Sequence, residues 1–208
     1  LKDSCEWPIS EKHQPVIIEG DSRCKLAELE DNSFDLVVTS PPYLNSFDYS
    51  DIYRPELFLG GYVHSNDDLK EIRLRTIRSH VQVKWVQDVI FQSTLLEPIA
   101  RQLKHSEDLW NKNIHIMVEA YFDDIFKVFQ LMKLKLRKGA KIWFVVSTSS
   151  FGGVHIPVDL IIADAANQAG FLLECIHCLR HLRSAGQQWK KLNTKSPPLR
   201  ESLIILKV

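Results

Sequence analysis

The chain has 208 residues, 45% of them hydrophobic and 25% charged, with 26 basic against 26 acidic side chains and a formal net charge of zero. That length buries a real core as one domain, and balanced charge confines any nucleic-acid surface to a local patch. No apolar run reaches the length of a membrane span, no secretory pattern opens the chain, and four cysteines without a regular framework fit reduced thiols in a cytoplasmic protein.

Residues 15–19 are a β-branched run ending at Gly20-Asp21, which predicts a buried strand and a turn. Residues 25–29 suit one or two turns of helix, and Asp31-Asn32-Ser33 breaks it. Residues 34–39 are the next strand. Two strands bridged by a helix form a βαβ unit, which predicts a parallel sheet. From 51 to 136 the pattern is helical. Leu69, Ile72, Ile77 and Val81 lie among Lys70, Arg73, Arg75, Arg78 and Lys84; Ile90, Leu95, Ile99 and Leu103 fit a further helix. The best amphipathic helix runs from Ile114 to Met132, with Gly139 as its expected C-cap. Residues 141–147 return to a buried strand, and 157–168 form a helix ended by Gly170. Residues 171–179 and 202–208 are strands on either side of a polar stretch. The expected class is α/β: a single domain over 1–208 with a partial sheet of about five strands. A mainly helical insertion over 51–136 follows the second strand.

The second strand runs into Thr39-Ser40-Pro41-Pro42-Tyr43. Sites on open parallel sheets lie at the carboxyl ends of strands. Proline fixes φ, lacks an N–H and extends its predecessor. Two in a row give a stiff backbone whose carbonyls have few local donors and can accept from an amine. Ser40 adds a hydroxyl acceptor, and Tyr43 a ring that stacks on a planar group. An amine conjugated to a ring is a poor nucleophile. Acceptors on its hydrogens favour a pyramidal nitrogen whose lone pair can attack a methyl donor. A base in duplex DNA must first be flipped out. The second Ser-Pro-Pro, at 196–198, has Leu199 in place of the ring and suits an ordinary turn.

Residues 34–43, Phe-Asp-Leu-Val-Val-Thr-Ser-Pro-Pro-Tyr, closely resemble the catalytic motif of the amino-group DNA methyltransferases, which use S-adenosyl-L-methionine on a Rossmann-like sheet. The Ser form of that motif is typical of cytosine-N4 enzymes and the Asp form of adenine-N6 enzymes. The resemblance implies Ser40, Pro41, Pro42 and Tyr43 as the catalytic set, with Ser40 and the Pro41 carbonyl holding the amine and Tyr43 stacking on the base. It implies Asp21, Ser22, Thr39 and Ser40 at the cofactor; capping of the following helix is an equal reading of Asp21. Residues 138–146, 183–187 and 200–206 are similar to the family's later segments. The expected partner is double-stranded DNA, and the insertion is the candidate target-recognition region.

One family element is missing: the Gly-rich cofactor loop. Leu59-Gly60-Gly61-Tyr62 and Phe151-Gly152-Gly153-Val154 lack its spacing and suit turns. The sequence matches the third to seventh strands of such a sheet and not the first two. The expectation is that a further segment or a second chain supplies that half. Two basic stretches are candidates for phosphate contacts: Arg73, Arg75 and Arg78 in the first; Arg183, Lys190 and Lys191, with Arg180 and Arg200 flanking, in the second. Asn45, Phe47, Asp48 and Tyr49 are equally suited to lining a base pocket, capping or packing. Cys175, His177 and Cys178 on a strand suit core thiols better than a metal site, and no metal is expected. Alternatives to the cytosine reading are adenine, RNA or a protein glutamine as substrate, and a non-catalytic DNA-binding subunit.

Overall fold

The computed structural model describes residues 15–44, 48–81, 88–182 and 198–208. Among these, α1 (Ser22–Lys25) and a 3-10 turn (Leu26–Glu28) lead to strand β1 (Phe34–Thr39). Helices α2 (Tyr49–Ile52), α3 (Arg54–Leu59), α4 (Asn66–Leu74), α5 (Leu96–Lys104) and α6 (Ile114–Lys135) follow. Then come β2 (Leu136–Ser147), β3 (Ser149–Phe151), β4 (Val154–Ile156), α7 (Val158–Gln168), β5 (Leu172–His181) and β6 (Arg200–Lys207). The class is mixed α/β. The main sheet has four strands in the order β1-β2-β6-β5, and β3 pairs only with β4. β1 runs parallel to β2, while β2–β6 and β6–β5 are antiparallel.

Local chemistry accounts for the element ends. Ser65 and Asp68 form a reciprocal capping box at the start of α4. The helix stops at Leu74, so Ile77 and Arg78 lie beyond it rather than on its face. α5 starts at Leu96, which likewise leaves Ile90 outside. α6 fits its expected apolar stripe: Met117, Val118, Tyr121, Phe122, Ile125 and Phe129 are all buried. It is not ended by Gly139. The chain passes from Lys135 straight into β2, and Gly139 sits within that strand at φ 85°. The Gly152-Gly153 pair is a turn, with both residues at positive φ between β3 and β4. A Cβ on Gly152 would also press on Leu109 and Ser106, so the turn needs glycine there.

α6 and α7 cover one face of the sheet. Ile142, Phe144 and Val146 of β2 and Ile204 and Leu206 of β6 join the α6 stripe and Ile161, Ile162 and Ala165 of α7 in one buried cluster. Phe129 lies 5.1 Å from Phe144 and 5.9 Å from Phe171, centroid to centroid. The opposite face is open. In register across the strands it carries Val38, Trp143, Ile205 and Cys175. Val38 is 65% and Trp143 43% exposed.

Two expectations are corrected here. Residues 15–19 form no strand: Val16 is 83% and Ile17 92% exposed, and the main sheet has four strands rather than five. A strand needs a neighbour to take its backbone hydrogen bonds, and no described strand offers an edge to this run. The βαβ unit therefore does not form. Instead, α6 holds the start of β1: Asn32 N–H donates to Leu134 O, Ser33 N–H to Lys135 O, and Lys135 Nζ to Leu29 O at 2.8 Å and Asp31 Oδ1 at 2.5 Å. The thiols are corrected too. β5 is the outer edge of the sheet, so Cys175 is half-buried and Cys178 exposed; neither is a core thiol.

Candidate active site

β1 delivers its last residue, Thr39, beside Phe144 of β2, and the chain then leaves the sheet as Ser40-Pro41-Pro42-Tyr43. Because β1 and β2 are parallel, the motif sits at their shared carboxyl end. Ser40 is exposed; Pro41, Pro42 and Tyr43 are half-buried. The Ser40 hydroxyl donates to Tyr43 Oη at 3.4 Å, and Tyr43 Oη donates to Glu201 Oε1 at 2.8 Å. Glu201 is held in turn by Arg180, whose Nε donates to Oε2 at 2.7 Å. Burial pushes the Tyr43 phenol above its ordinary range. The Ser40 bond pulls against that shift, and the carboxylate of Glu201 adds to it. The hydrogen bonds from Arg180 and then Tyr43 hold Glu201 below the usual carboxylate range. Sequence reasoning passed over Glu201. Only the register places it at the motif: the antiparallel ladder sets Glu201 opposite Ser147 on β2 and Arg180 on β5.

On its other side the motif borders a cavity of about 410 Å³. Its walls include Pro42, Tyr49, Tyr53, Ile72 and Ile77, with Asp48, Arg73 and His80 as polar groups. Two hollows of about 600 Å³ lie against α5 and around Phe91, but neither touches the motif. Asp48 caps α2 by accepting from Ser50 N–H at 2.9 Å, and it accepts from Arg73 Nε at 2.5 Å. Asp48 and Tyr49 thus line the cavity, and Asp48 also caps. Asn45 and Phe47 lie outside the described residues.

Asp21 is a cap. It accepts from Arg23 N–H at 2.9 Å and from the Arg23 guanidinium at 2.6 to 3.1 Å. Arg23 continues to Asp124 at 2.9 Å; Arg78 joins Asp124 at 2.8 Å and Asp123 at 2.9 Å. Asp123 also accepts from Ile90 and Phe91 N–H. A chain of five charged side chains therefore runs from Asp21 to Asp123. With so many acceptor positions taken by Arg23, Asp21 can meet a cofactor only if Arg23 turns away. Ser22 is exposed and Thr39 half-buried.

The first basic stretch divides. Arg78 is buried in that network and is not a surface cation. Arg73 is engaged by Asp48 and Asp51. Arg75 remains on the surface, its side chain 77% exposed and 3.6 Å from Glu71. Of the flanking pair in the second stretch, Arg180 is tied to Glu201 and Arg200 to Asp159. Arg183, Lys190 and Lys191 lie outside the described residues.

The carboxylates set an acid limit to stability. Burial works against ionisation of Asp21, Asp48 and Asp123, yet each lies below its ordinary value. Arg23 is responsible for the first; Ser50, His80 and Arg73 for the second; Lys127 and the Phe91 and Ile90 N–H groups for the third. Burial, with Arg200 nearby, lowers His155 below its ordinary value. In all four cases the unfolded chain binds protons more readily, so stability is full at neutral pH and falls with acid. Urea midpoints are expected to slip below about pH 6.5, as unfolded histidine begins to protonate, and to drop steeply below about pH 4. A midpoint that rose between pH 7 and 4 would contradict the signs.

Comparison with known proteins gives the following. The chain is 29% identical to the Type II methyltransferase M.BsoBI of Geobacillus stearothermophilus over 211 residues, covering 91% of this chain and 41% of that protein. It is 29% identical to the Type II methyltransferase M.AvaI of Nostoc sp. strain PCC 7120 over 163 residues, covering 73% of this chain and 33% of that protein. The chain thus spans less than half the length of these relatives. A DNA modification methylase from Thermus thermophilus, complexed with S-adenosyl-L-methionine, aligns with a TM-score of 0.47 at 18% identity over 90% of this chain and 53% of its own. No protein-family model matches. The described residues contain no helix long and apolar enough to cross a membrane.

Proposed function

We propose that this chain forms the amine-holding part of an S-adenosyl-L-methionine-dependent DNA methyltransferase that modifies the exocyclic N4 amine of cytosine. The observation that carries the reading is Ser40-Pro41-Pro42-Tyr43 at the carboxyl end of β1, beside a cavity walled by Pro42, Tyr49 and Tyr53. The similarity to two Type II methyltransferases supports it. The flipped cytosine would lie against the Tyr43 ring. Its amine would donate to Ser40 Oγ and the Pro41 carbonyl, which localises the nitrogen lone pair for attack. The cofactor would supply an electrophilic methyl group. Ser22 and Thr39 are its proposed contacts, with Ser40 shared and Asp21 available once Arg23 moves. Arg75 is the proposed phosphate contact among the described residues, alongside Arg183, Lys190 and Lys191. Helices α2 to α5 would serve target recognition. A further segment bearing the Gly-rich loop would cover the open sheet face at Val38 and Trp143, since sheets of this class are covered on both faces.

The test uses the full-length protein, tritiated S-adenosyl-L-methionine and long duplex DNA of mixed sequence, digested to nucleosides. Label in 4-methylcytosine is the expected result. Label in N6-methyladenine would favour the adenine reading, and none in DNA would overturn both. Residues 15–208 alone are expected to bind the cofactor weakly in calorimetry. Tight, saturable binding would show that no further segment is needed.

A further inference from the structure

The hydrogen bonds at the motif all point one way. Ser40 donates to Tyr43 Oη at 3.4 Å, Tyr43 donates to Glu201 Oε1 at 2.8 Å, and Arg180 donates to Glu201 Oε2 at 2.7 Å. A hydroxyl that donates in one direction keeps its lone pairs for another donor. A charge at the end of such a line polarises every bond along it. We propose that Glu201 is a positioning residue and remote proton acceptor for the motif: through Tyr43 it makes Ser40 Oγ a stronger acceptor and gives the amine proton a way out. This rests on the function proposed above.

A neutral serine lacks the charge that an aspartate would bring to the same position, and the line supplies that charge from β6. It also fixes the tilt of the Tyr43 ring, because the ring's hydroxyl is held at the end of a sheet strand. Arg180 keeps Glu201 ionised and ready to receive a proton. The step balances. As the nitrogen–methyl bond forms and the donor's sulfur–methyl bond breaks, positive charge passes to the amine nitrogen. One amine proton moves to Ser40 Oγ, the Ser40 proton to Tyr43 Oη, and the Tyr43 proton to Glu201. Glu201, beside the exposed Arg180 side chain, then returns it to water.

Two measurements test this. The first needs no turnover. In protein carrying ring-labelled tyrosine, the Tyr43 resonance is assigned by its loss in Tyr43→Phe and titrated by NMR. Glu201→Gln is expected to lower its titration point and Ser40→Ala to raise it; no movement in either variant overturns the line. The second is the rate of methyl transfer. Tyr43→Phe and Glu201→Gln are each expected to slow it on the order of tenfold to a hundredfold, and the double variant no further than the slower single. Ser40→Asp places a carboxylate at the amine and is expected to make the rate indifferent to Tyr43→Phe. Additive losses, or equal sensitivity in the Ser40→Asp background, would refute the relay. If the unaltered protein transfers no methyl group to DNA, the function proposed above fails, and the titration still decides whether the hydrogen-bonded line exists.

Discussion

Replacing Arg78 by Ala lowers the unfolding free energy by about 3–5 kcal/mol, the cost typical of removing one partner from a buried ion pair. Its guanidinium is the shared partner of Asp123 and Asp124, both fully or nearly fully buried, and without it two carboxylates are left close together. The loss should spread to α1, because Asp124 also holds Arg23 and through it Asp21. Arg75→Ala is the control. That side chain is exposed and its ion pair is loose, so the change should stay within about 0.5 kcal/mol. Urea denaturation of both variants separates the two arginines. If Arg78→Ala were as stable as Arg75→Ala and instead reduced the salt dependence of DNA binding, Arg78 would be a phosphate contact after all.

Replacing Ser40 and Pro41 together by Ala reduces methyl transfer by about 10²–10³-fold, the range seen when one preorganised hydrogen-bonding group is lost from an active site. Ser40 contributes the hydroxyl acceptor. Pro41 stiffens the backbone whose carbonyl is the second acceptor, and its loss lets that carbonyl find other conformations. The fold should barely notice, since Ser40 is exposed and Pro41 half-buried. Proline-to-alanine changes act through chain entropy by about 1 kcal/mol or less. The kinetic signature is a fall in kcat with little change in cofactor affinity. A double variant that methylated DNA at the unaltered rate would remove the amine-holding role from this motif.

The parts legible in the sequence are those set by short-range chemistry. The α6 stripe from Ile114 to Met132 repeats at helical spacing, and one face of a long helix must be buried. β1 and β2 are apolar runs bounded by breakers. The motif could be placed at a strand end because proline cannot continue a central strand. The misses have one cause. Whether residues 15–19 become a strand depends on a neighbour, not on their β-branched side chains. Whether Arg73 and Arg78 face phosphate or carboxylate depends on where α2 and α6 bring Asp48, Asp51, Asp123 and Asp124. Gly139 failed as a cap because α6 continues directly into β2, whose pairing with β1 and β6 takes over the backbone hydrogen bonds.

By itself, then, the sequence determined the α/β class, the position of Ser40-Pro41-Pro42-Tyr43 after an apolar strand, and the amine chemistry those side chains permit. All of these follow from residues within ten positions of one another. Tertiary structure alone decided that Glu201, 158 residues beyond Tyr43, would take its hydroxyl proton as a hydrogen bond. It alone decided that Asp21 would be saturated by Arg23, and that one face of the sheet would stay open at Val38 and Trp143. The physical reason is that pairing, of strands or of charges, is a property of two distant segments and of the register between them. Local propensity specifies each partner and is silent about which partner it meets.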